Sequence, residues 1–333
     1  MNLSKPRALI GTVSAIAISF ILTGCVSTAS SEVDTTGELT PISLGFPWNG
    51  GAGSDPHDTG AFGYAEYLGE AESILEQNGY TFDRHVGFNN GPPVVQALQS
   101  RDITIGSLGD VPAVQARGNG QDIRAISVRK PSSGIWVLSN DPAISDIDDL
   151  AGHTIGLQFG SNFDKYGRAI LERHNISDDV ELVNLVFADA LPALQQGRIS
   201  AVALPANVAA VWLESNDFTV VSKAEDDDPD LLSTSVSVVS EEFLSKNPDF
   251  PSVFWEIEQA GISAIRDDLD SYIKWVAETQ KVSEDSVRSS STWQYSDERI
   301  NPEGLETLQK TQDFLLAQGI IRDSFNIDEW IVQ

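Results

Sequence analysis

Asn89 to Gly118 reads NNGPPVVQALQSRDITIGSLGDVPAVQARG, thirty residues that hold a helix start, a helix, a buried strand and a second helix start. Pro92 and Pro93 suit the first turn of a helix, where a backbone N–H is unpaired anyway, and Val94, Val95 and Leu98 give that helix an apolar face. Ile103 to Leu108 is a short β-branched apolar run of the kind that forms a strand covered on both faces. Gly109 permits a tight turn, Asp110 can accept from free amides as an N-cap, and Val111-Pro112-Ala113 opens the next helix. Helix, strand, helix in this order predicts an α/β protein with a parallel sheet. Asp110 then stands at the carboxyl end of a strand, the edge at which open α/β sheets bind ligands.

The stretch has an echo. Leu191 to Trp212 (LPALQQGRISAVALPANVAAVW) aligns with it without a gap at an offset of 96, taking Leu98 to Leu194. Ala97, Leu98, Gln99, Ile103, Leu108 and Ala113 meet identical residues at Ala193, Leu194, Gln195, Ile199, Leu204 and Ala209. Either any two βα units of such a protein look alike, or one lobe repeats the other. Both readings predict two lobes of the same architecture.

At 333 residues the chain can hold two domains of ordinary size. Lys and Arg total 21 against 49 Asp and Glu, a formal charge of −28. A field of that sign argues against nucleic acid and against adsorption to anionic lipid through a basic patch. The run Asp226-Asp227-Asp228-Pro229-Asp230 reads as a solvated loop. The single cysteine excludes a disulfide within the chain, and nothing has zinc-type cysteine spacing.

That cysteine has a context. Lys5 and Arg7 precede an apolar run from Ala8 to Leu22, followed by Thr23-Gly24-Cys25. A basic start, an apolar stretch of this length and small residues at its end predict a secretory signal peptide over residues 1–24. An uncleaved membrane helix is the alternative, but Gly11, Thr12, Ser14 and Ser19 make a weak span. Leu22-Thr23-Gly24-Cys25 matches the bacterial lipobox, in which the cysteine is acylated and becomes the first mature residue. Residues 25–38 (CVSTASSEVDTTGE), small and polar, then read as a flexible tether to the membrane. Losing Lys5 and Arg7 with the signal takes the charge from −28 to −30.

Beyond the tether, Leu39 to Phe46 predicts a first strand, running into a glycine-rich loop with Trp48 and Asn49, and Gly60 to Gln77 a helix. Gly51-x-Gly53 lacks the third glycine of a dinucleotide turn, since position 56 is proline. Strands are predicted over Tyr80–Phe88, Asp122–Val128 and Gly134–Ser139, with Arg129-Lys130-Pro131-Ser132-Ser133 leaving the first lobe. The second lobe has strands over Thr154–Phe159, Val180–Phe187 and Phe218–Ser222. Gly160-Ser161-Asn162 opens an amphipathic helix, an anion-compatible site or an ordinary serine N-cap. Leu231–Ser240 returns, and helices over 248–266, 269–281, 283–290 and 302–318 are expected to cover the first lobe.

In order, the lipobox, a first strand ending in an aromatic loop, ALQSRDITIGSLGDVPA around Asp110, DLAGHTIGLQFGS from Asp149 and ADALPALQQGRISAVA from Ala188 resemble the solute-binding proteins of bacterial ABC importers. The likeness, over nearly the whole chain from Leu39 to Trp330, is to the nitrate, sulfonate and taurine group, which includes thiamine-pyrimidine binders. It implies a two-lobed α/β periplasmic-binding-protein fold of type II, with crossing strands near Gly134 and Val236 and C-terminal helices. Residues 39–134 plus 237–333 would form the first lobe and residues 135–236 the second. It implies a small-molecule ligand, a small organic anion of sulfonate type, and an ABC permease with a separate ATPase as partner. The Gly109-Asp110-x-Pro112 pattern of sulfonate binders is matched. Their Trp-Asp-Pro-Tyr type sequence is not: here Leu204-Pro205-Ala206-Asn207 keeps the proline and loses the acid and the tyrosine.

The strand-end loops sharing one edge are the candidate ligand site: Trp48, Asn49, Asn90, Gly91, Asp110, Ser132, Ser133, Ser161, Asn162, Pro205 and Asn207. Helix starts at Gly91, Asp110 and Ser161 can direct amides at an anion, and Trp48 can pack on an apolar tail or belong to the core. No catalytic residue, cofactor or resident metal is expected. The rival readings are a desulfinase-like enzyme on the same fold, which needs a cysteine nucleophile, and a metal-binding protein. Cys25 is the only cysteine, and Ser107 lacks the first glycine of a nucleophile elbow. For a metal, Asp55-Pro56-His57-Asp58 offers clustered ligands, although Asp58 equally suits an N-cap. No Gly-x4-Gly-Lys-Ser/Thr loop exists, so ATP hydrolysis would fall to a partner.

Overall fold

A computed structural model describes residues 38–132, 134–291 and 295–333. The expected signal peptide, Cys25, the tether up to Gly37, and Ser133 lie outside them. Glu38–Gln333 forms one compact unit. Among the described residues no helix is long and apolar enough to cross a membrane.

Ten strands make two sheets. β1 (Thr40–Pro47), β2 (Tyr80–Phe88), β3 (Ile105–Gly109), β4 (Ile123–Val128) and β10 (Ser235–Ser240) form the first, in the order β2-β1-β3-β10-β4. β5 (Ile135–Ser139), β6 (Thr154–Leu157), β7 (Glu181–Asn184), β8 (Ala201–Pro205) and β9 (Thr219–Lys223) form the second, in the order β7-β6-β8-β5-β9. The expected parallel sheet is corrected: β10 runs antiparallel to β3 and β4, and β5 antiparallel to β8 and β9. Each antiparallel strand is the one entered from the other lobe, so it arrives from the opposite edge. The chain crosses between β4 and β5 and returns ahead of Ser235, which already pairs with Gly109, with Val236 opposite Leu108. The crossing segments hold each other through Arg129 N–H to Ser235 O (3.0 Å) and Ser132 N–H to Ser233 O (3.2 Å).

The echo keeps its spacing. The helices Gly91–Ser100 and Phe187–Gln195, the strands β3 and β8, and the helices Asp110–Gly118 and Ala206–Ser215 each begin 96 residues apart. β3 and β8 also hold equivalent places, each between a parallel strand and the antiparallel one. The same unit therefore occupies the same position in both sheets.

Strands buried on both faces read as near-continuous apolar runs, as in β5, while β1 from Ile42 to Phe46 is buried throughout with Ser43 and Gly45 alternating between its apolar residues. In the first lobe, Val94, Leu98, Val114, Leu308, Leu315 and Trp330 pack on one face of the sheet, and Phe62, Leu75, Phe250 and Phe254 on the other. Two local expectations fail for identifiable reasons. The helix expected over 60–77 is two, Ala61–Tyr67 and Glu70–Gln77, because Gly69 takes a left-handed conformation (φ 80°) between them. The acidic run is solvated at Asp226, Asp227 and Asp230 but is not a plain loop: Ala224–Asp227 is helical, and Asp228 is buried against the Arg173 guanidinium.

Candidate functional site

The carboxyl ends of the parallel strands in both sheets open on one cavity of about 490 Å³, within the range of small-molecule sites. β1 delivers Trp48 and Asn49, β2 delivers Asn90 and Gly91, and the first crossing brings Ser132. From the second sheet, β6 brings Ser161 and Asn162, and β8 brings Pro205 and Asn207. Trp48 is half-buried, its ring edge-on to Phe46 at 6.1 Å, so it bridges core and cavity wall. Ser133 lies outside the described residues.

Asp110 is the correction. Its side chain is 0% exposed and does not line the cavity, and Gly109, not Asp110, is the N-cap residue. The carboxylate pairs with Lys165 of the second lobe, a side chain only 11% exposed, and accepts from Thr311 Oγ1 at 2.5 Å. Lys165 Nζ donates to the same Thr311 hydroxyl at 3.0 Å. Asn162 also reaches across, its Oδ1 accepting from Val111 N–H at 3.2 Å. The helix start at Asp110 is thus closed by protein groups rather than offered to a ligand.

The other helix starts differ in what they offer. At Gly91 no side chain caps the helix, but Pro92 and Pro93 remove two donors. At Ser161 the hydroxyl accepts from Phe163 N–H (3.2 Å), the ordinary serine N-cap. At Ala206 no side chain caps the helix, and Asn207 lines the cavity. That end carries the positive pole of the helix dipole; the Ala206 N–H is taken by Gly134 O (3.0 Å), so the first-turn amides after it are the donors suited to an anion.

Sequence reasoning missed much of the wall. Trp255 and Glu258 come from the helix Phe250–Asp267, Tyr272 from Leu269–Gln280, and Tyr295 from beyond Glu284–Ser290. These are helices expected only to cover the first lobe. Arg129 is the missed cation; a charge directly after an apolar strand at the binding edge was the available signal. It pairs with Glu258, a side chain only 2% exposed that also accepts from Ser127 Oγ at 3.2 Å. Burial alone would lower the Arg129 guanidinium, but Glu258 and then Asp58 raise it above its ordinary value, so it stays charged. The Tyr272 hydroxyl is pushed up by burial and donates to Thr59 O at 2.6 Å. Asp58 turns inward as a cap, accepting from Gly60 N–H (3.2 Å) and Gly63 N–H (3.0 Å). His85, on β2, is pushed down to about 4 by burial; Asp58 opposes this and His57 adds to it.

The lobes meet again on the far side of the cavity, where Glu214 of the second lobe accepts from the Ser286 hydroxyl at 2.5 Å and from Ser283. Protein groups therefore hold the cleft shut from two sides. Gly109 marks how tight this is: a Cβ there would overlap the Asn162 amide, which would have to swing away and give up its bond to Val111 N–H, while its φ of −71° suits any residue. Gly109→Ala is expected to leave each lobe folded and to lower solute affinity about 10- to 100-fold, since overpacking by about 1–3 kcal/mol falls on the closed form alone. Titration calorimetry with circular dichroism checks this, and an unchanged affinity would refute it.

Over 122 residues the chain is 31% identical to the putative aliphatic sulfonates-binding protein of Escherichia coli strain K12, covering 36% of this chain and 38% of that one. Over 189 residues it is 26% identical to the taurine-binding periplasmic protein of the same strain, covering 55% and 57%. The chain thus matches less than two thirds of the length of either relative. In structure it is similar to the periplasmic aliphatic sulphonate-binding protein SsuA of Escherichia coli, with a TM-score of 0.69 at 21% identity over 88% of this chain and 98% of that one. That likeness establishes the two-lobed periplasmic-binding-protein fold. The profile described as NMT1/THI5 like matches residues 86–269, which run from β2 through the whole second lobe into the C-terminal helices, and the chain belongs to that family.

Proposed function

We propose that the chain is the extracytoplasmic solute-binding component of an ABC importer, which captures a small organosulfur anion of the sulfonate type between its lobes and delivers it to a membrane permease. The observation that carries this is the cavity itself, walled from both sheets and of small-molecule size. Contacts made to both lobes at once are the ones that favour a closed form, so a bridging solute would shift an open–closed equilibrium. The relatives' names supply the chemical class. Signal peptide cleavage and acylation of Cys25 would tether the domain outside the cytoplasm, with ATP hydrolysis left to a separate subunit.

The lining suits a sulfonate that also carries an amine. The cavity lining holds Arg129 and Lys130 against three carboxylates, Asp58, Glu258 and Glu298, so it has no excess of basic side chains. An anionic head group would be held by the first-turn amides that follow Ala206, whose own N–H is taken by Gly134 O (3.0 Å), and by hydroxyl and amide donors, and an ammonium by Glu298, since Glu258 is taken by Arg129 and Asp58 by the amides of Gly60 and Gly63. The ligand-binding set is Trp48, Asn49, Asn90, Gly91, Ser132, Ser161, Pro205 and Asn207, with Asn162 serving closure. An enzyme of the desulfinase kind needs a cysteine nucleophile, and Glu38–Gln333 contains no cysteine.

Thermal unfolding of the chain against alkyl sulfonates, taurine, sulfinates, nitrate and pyrimidines tests the reading. A solute at 100 times its Kd adds about 2.7 kcal/mol, which moves the midpoint by several degrees in a protein of this size. A shift with sulfonates or taurine is expected. Shifts confined to nitrate or pyrimidines, or none at all, would defeat the assignment.

A further inference from the structure

His57, Glu66 and His85 come from three different elements of the first lobe: the loop after β1, the helix Ala61–Tyr67 and strand β2. Their ligand atoms converge, all lying within 4.8 Å of one another. His57 Nε2 and Glu66 Oε2 are 3.2 Å apart but lack the alignment of a hydrogen bond. These two atoms and His85 Nε2 are all buried and have no hydrogen-bond partner. A buried polar atom left unsatisfied costs about 1–3 kcal/mol, so three at one point call for a common partner. The surroundings supply none. The His85 ring is walled by Phe46 (5.7 Å) and Phe82 (4.7 Å), and the His57 ring by Trp275 (5.7 Å). Asp58, an acid close enough to act on both His85 and Glu66, is spent on the amides of Gly60 and Gly63.

We propose that His57, Glu66 and His85 bind a divalent first-row metal ion, zinc being the best fit. Two imidazoles and one carboxylate are a borderline donor set of the kind zinc takes with three protein ligands and one open position. Tetrahedral bonds of about 2.0–2.2 Å place ligand atoms about 3.4 Å apart. His57 and Glu66, 3.2 Å apart, stand near that separation, and the His85 ligand atom lies within 4.8 Å of both. The chain's charge of −28 raises the local concentration of cations. His57 also lines the interlobe cavity, so the fourth position is one for water or for a solute oxygen drawn from it. The site does not depend on the solute assigned above.

The test is titration of the chelator-stripped full chain with Co²⁺ and then Zn²⁺. One Co²⁺ per chain is expected, with the intense visible absorption of four-coordination, bleached by Zn²⁺, and a chelator-reversible rise in unfolding midpoint. His85→Ala and Glu66→Gln should weaken binding by more than the roughly 10- to 100-fold that loss of an outer partner costs. His174→Ala, which breaks the exposed Asp146, Asp148 and His174 cluster, should not. No four-coordinate cobalt spectrum, or binding lost in His174→Ala and kept in His85→Ala, would overturn the site. X-ray absorption on the zinc-loaded wild-type chain needs no variant: two imidazoles in the coordination sphere support the assignment, and fewer refute it.

Discussion

Lys165→Met is expected to open the molecule. The substitution leaves the Asp110 carboxylate, 0% exposed, with Thr311 as its one hydrogen-bond partner; its Oδ1 has none even in the intact pair. Breaking a buried ion pair from one side costs about 3–5 kcal/mol, because the remaining charge is desolvated and uncompensated. Here the pair joins two lobes, so the chain has a route cheaper than unfolding: the lobes part and water reaches Asp110. The cost should therefore appear as a larger radius of gyration in small-angle scattering and as solute affinity reduced by about 100-fold or more. The unfolding midpoint should move far less than a cost of that size within a single core would move it. Adding Asp110→Asn to Lys165→Met removes the stranded charge and should recover much of the affinity. A single variant with wild-type scattering and affinity would show that the pair plays no part in closure.

Gly261→Ala should act on the fold rather than on closure. Gly261 lies where the helix Phe250–Asp267 crosses Ala61–Tyr67, and an added Cβ would overlap the carbonyl oxygen of Ala61 and sit 2.6 Å from its carbon. The obstacle is backbone, so no rotamer change relieves it, and the two helices must separate. Overpacking of this kind costs about 1–3 kcal/mol or more. The expected result is a midpoint lowered by several degrees in thermal unfolding. The displacement carries a second effect, since the crossing helices bring Ala61, Trp255 and Glu258 to the cavity. Solute affinity should fall together with stability. Unchanged stability would mean that the helices slide past each other at no cost.

What the sequence made legible was local. The Asn89–Gly118 unit, the serine cap at Ser161 and the strand ends around Trp48 and Asn207 follow from proline, glycine and β-branched residues acting on their neighbours, and all stand at the cavity edge. Pairings across long separations were not legible. Glu258 finds Arg129 at a sequence distance of 129, and Asp110 finds Lys165 at 55 and Thr311 at 201, so an aspartate that reads as a helix cap becomes half of a buried pair. His57 shows the same limit. Its sequence neighbours Asp55 and Asp58 suggest a cluster, whereas its spatial neighbours are Glu66 and His85.

The repeated unit is not repeated in its chemistry. Asp110 and Ala206 open the same helix in the two lobes, at the carboxyl ends of equivalent strands. An acid at both positions would set two negative charges at the two helix starts and repel any anion between them. With alanine at one, the symmetric scaffold becomes polar in function: one half is the bolt, reaching over to its neighbour, and the other would be the seat, its first-turn amides beyond the Ala206 N–H, which Gly134 O takes, facing the guest proposed above. An Ala206→Asp exchange would make the halves chemically alike and leave an anionic solute nowhere to sit.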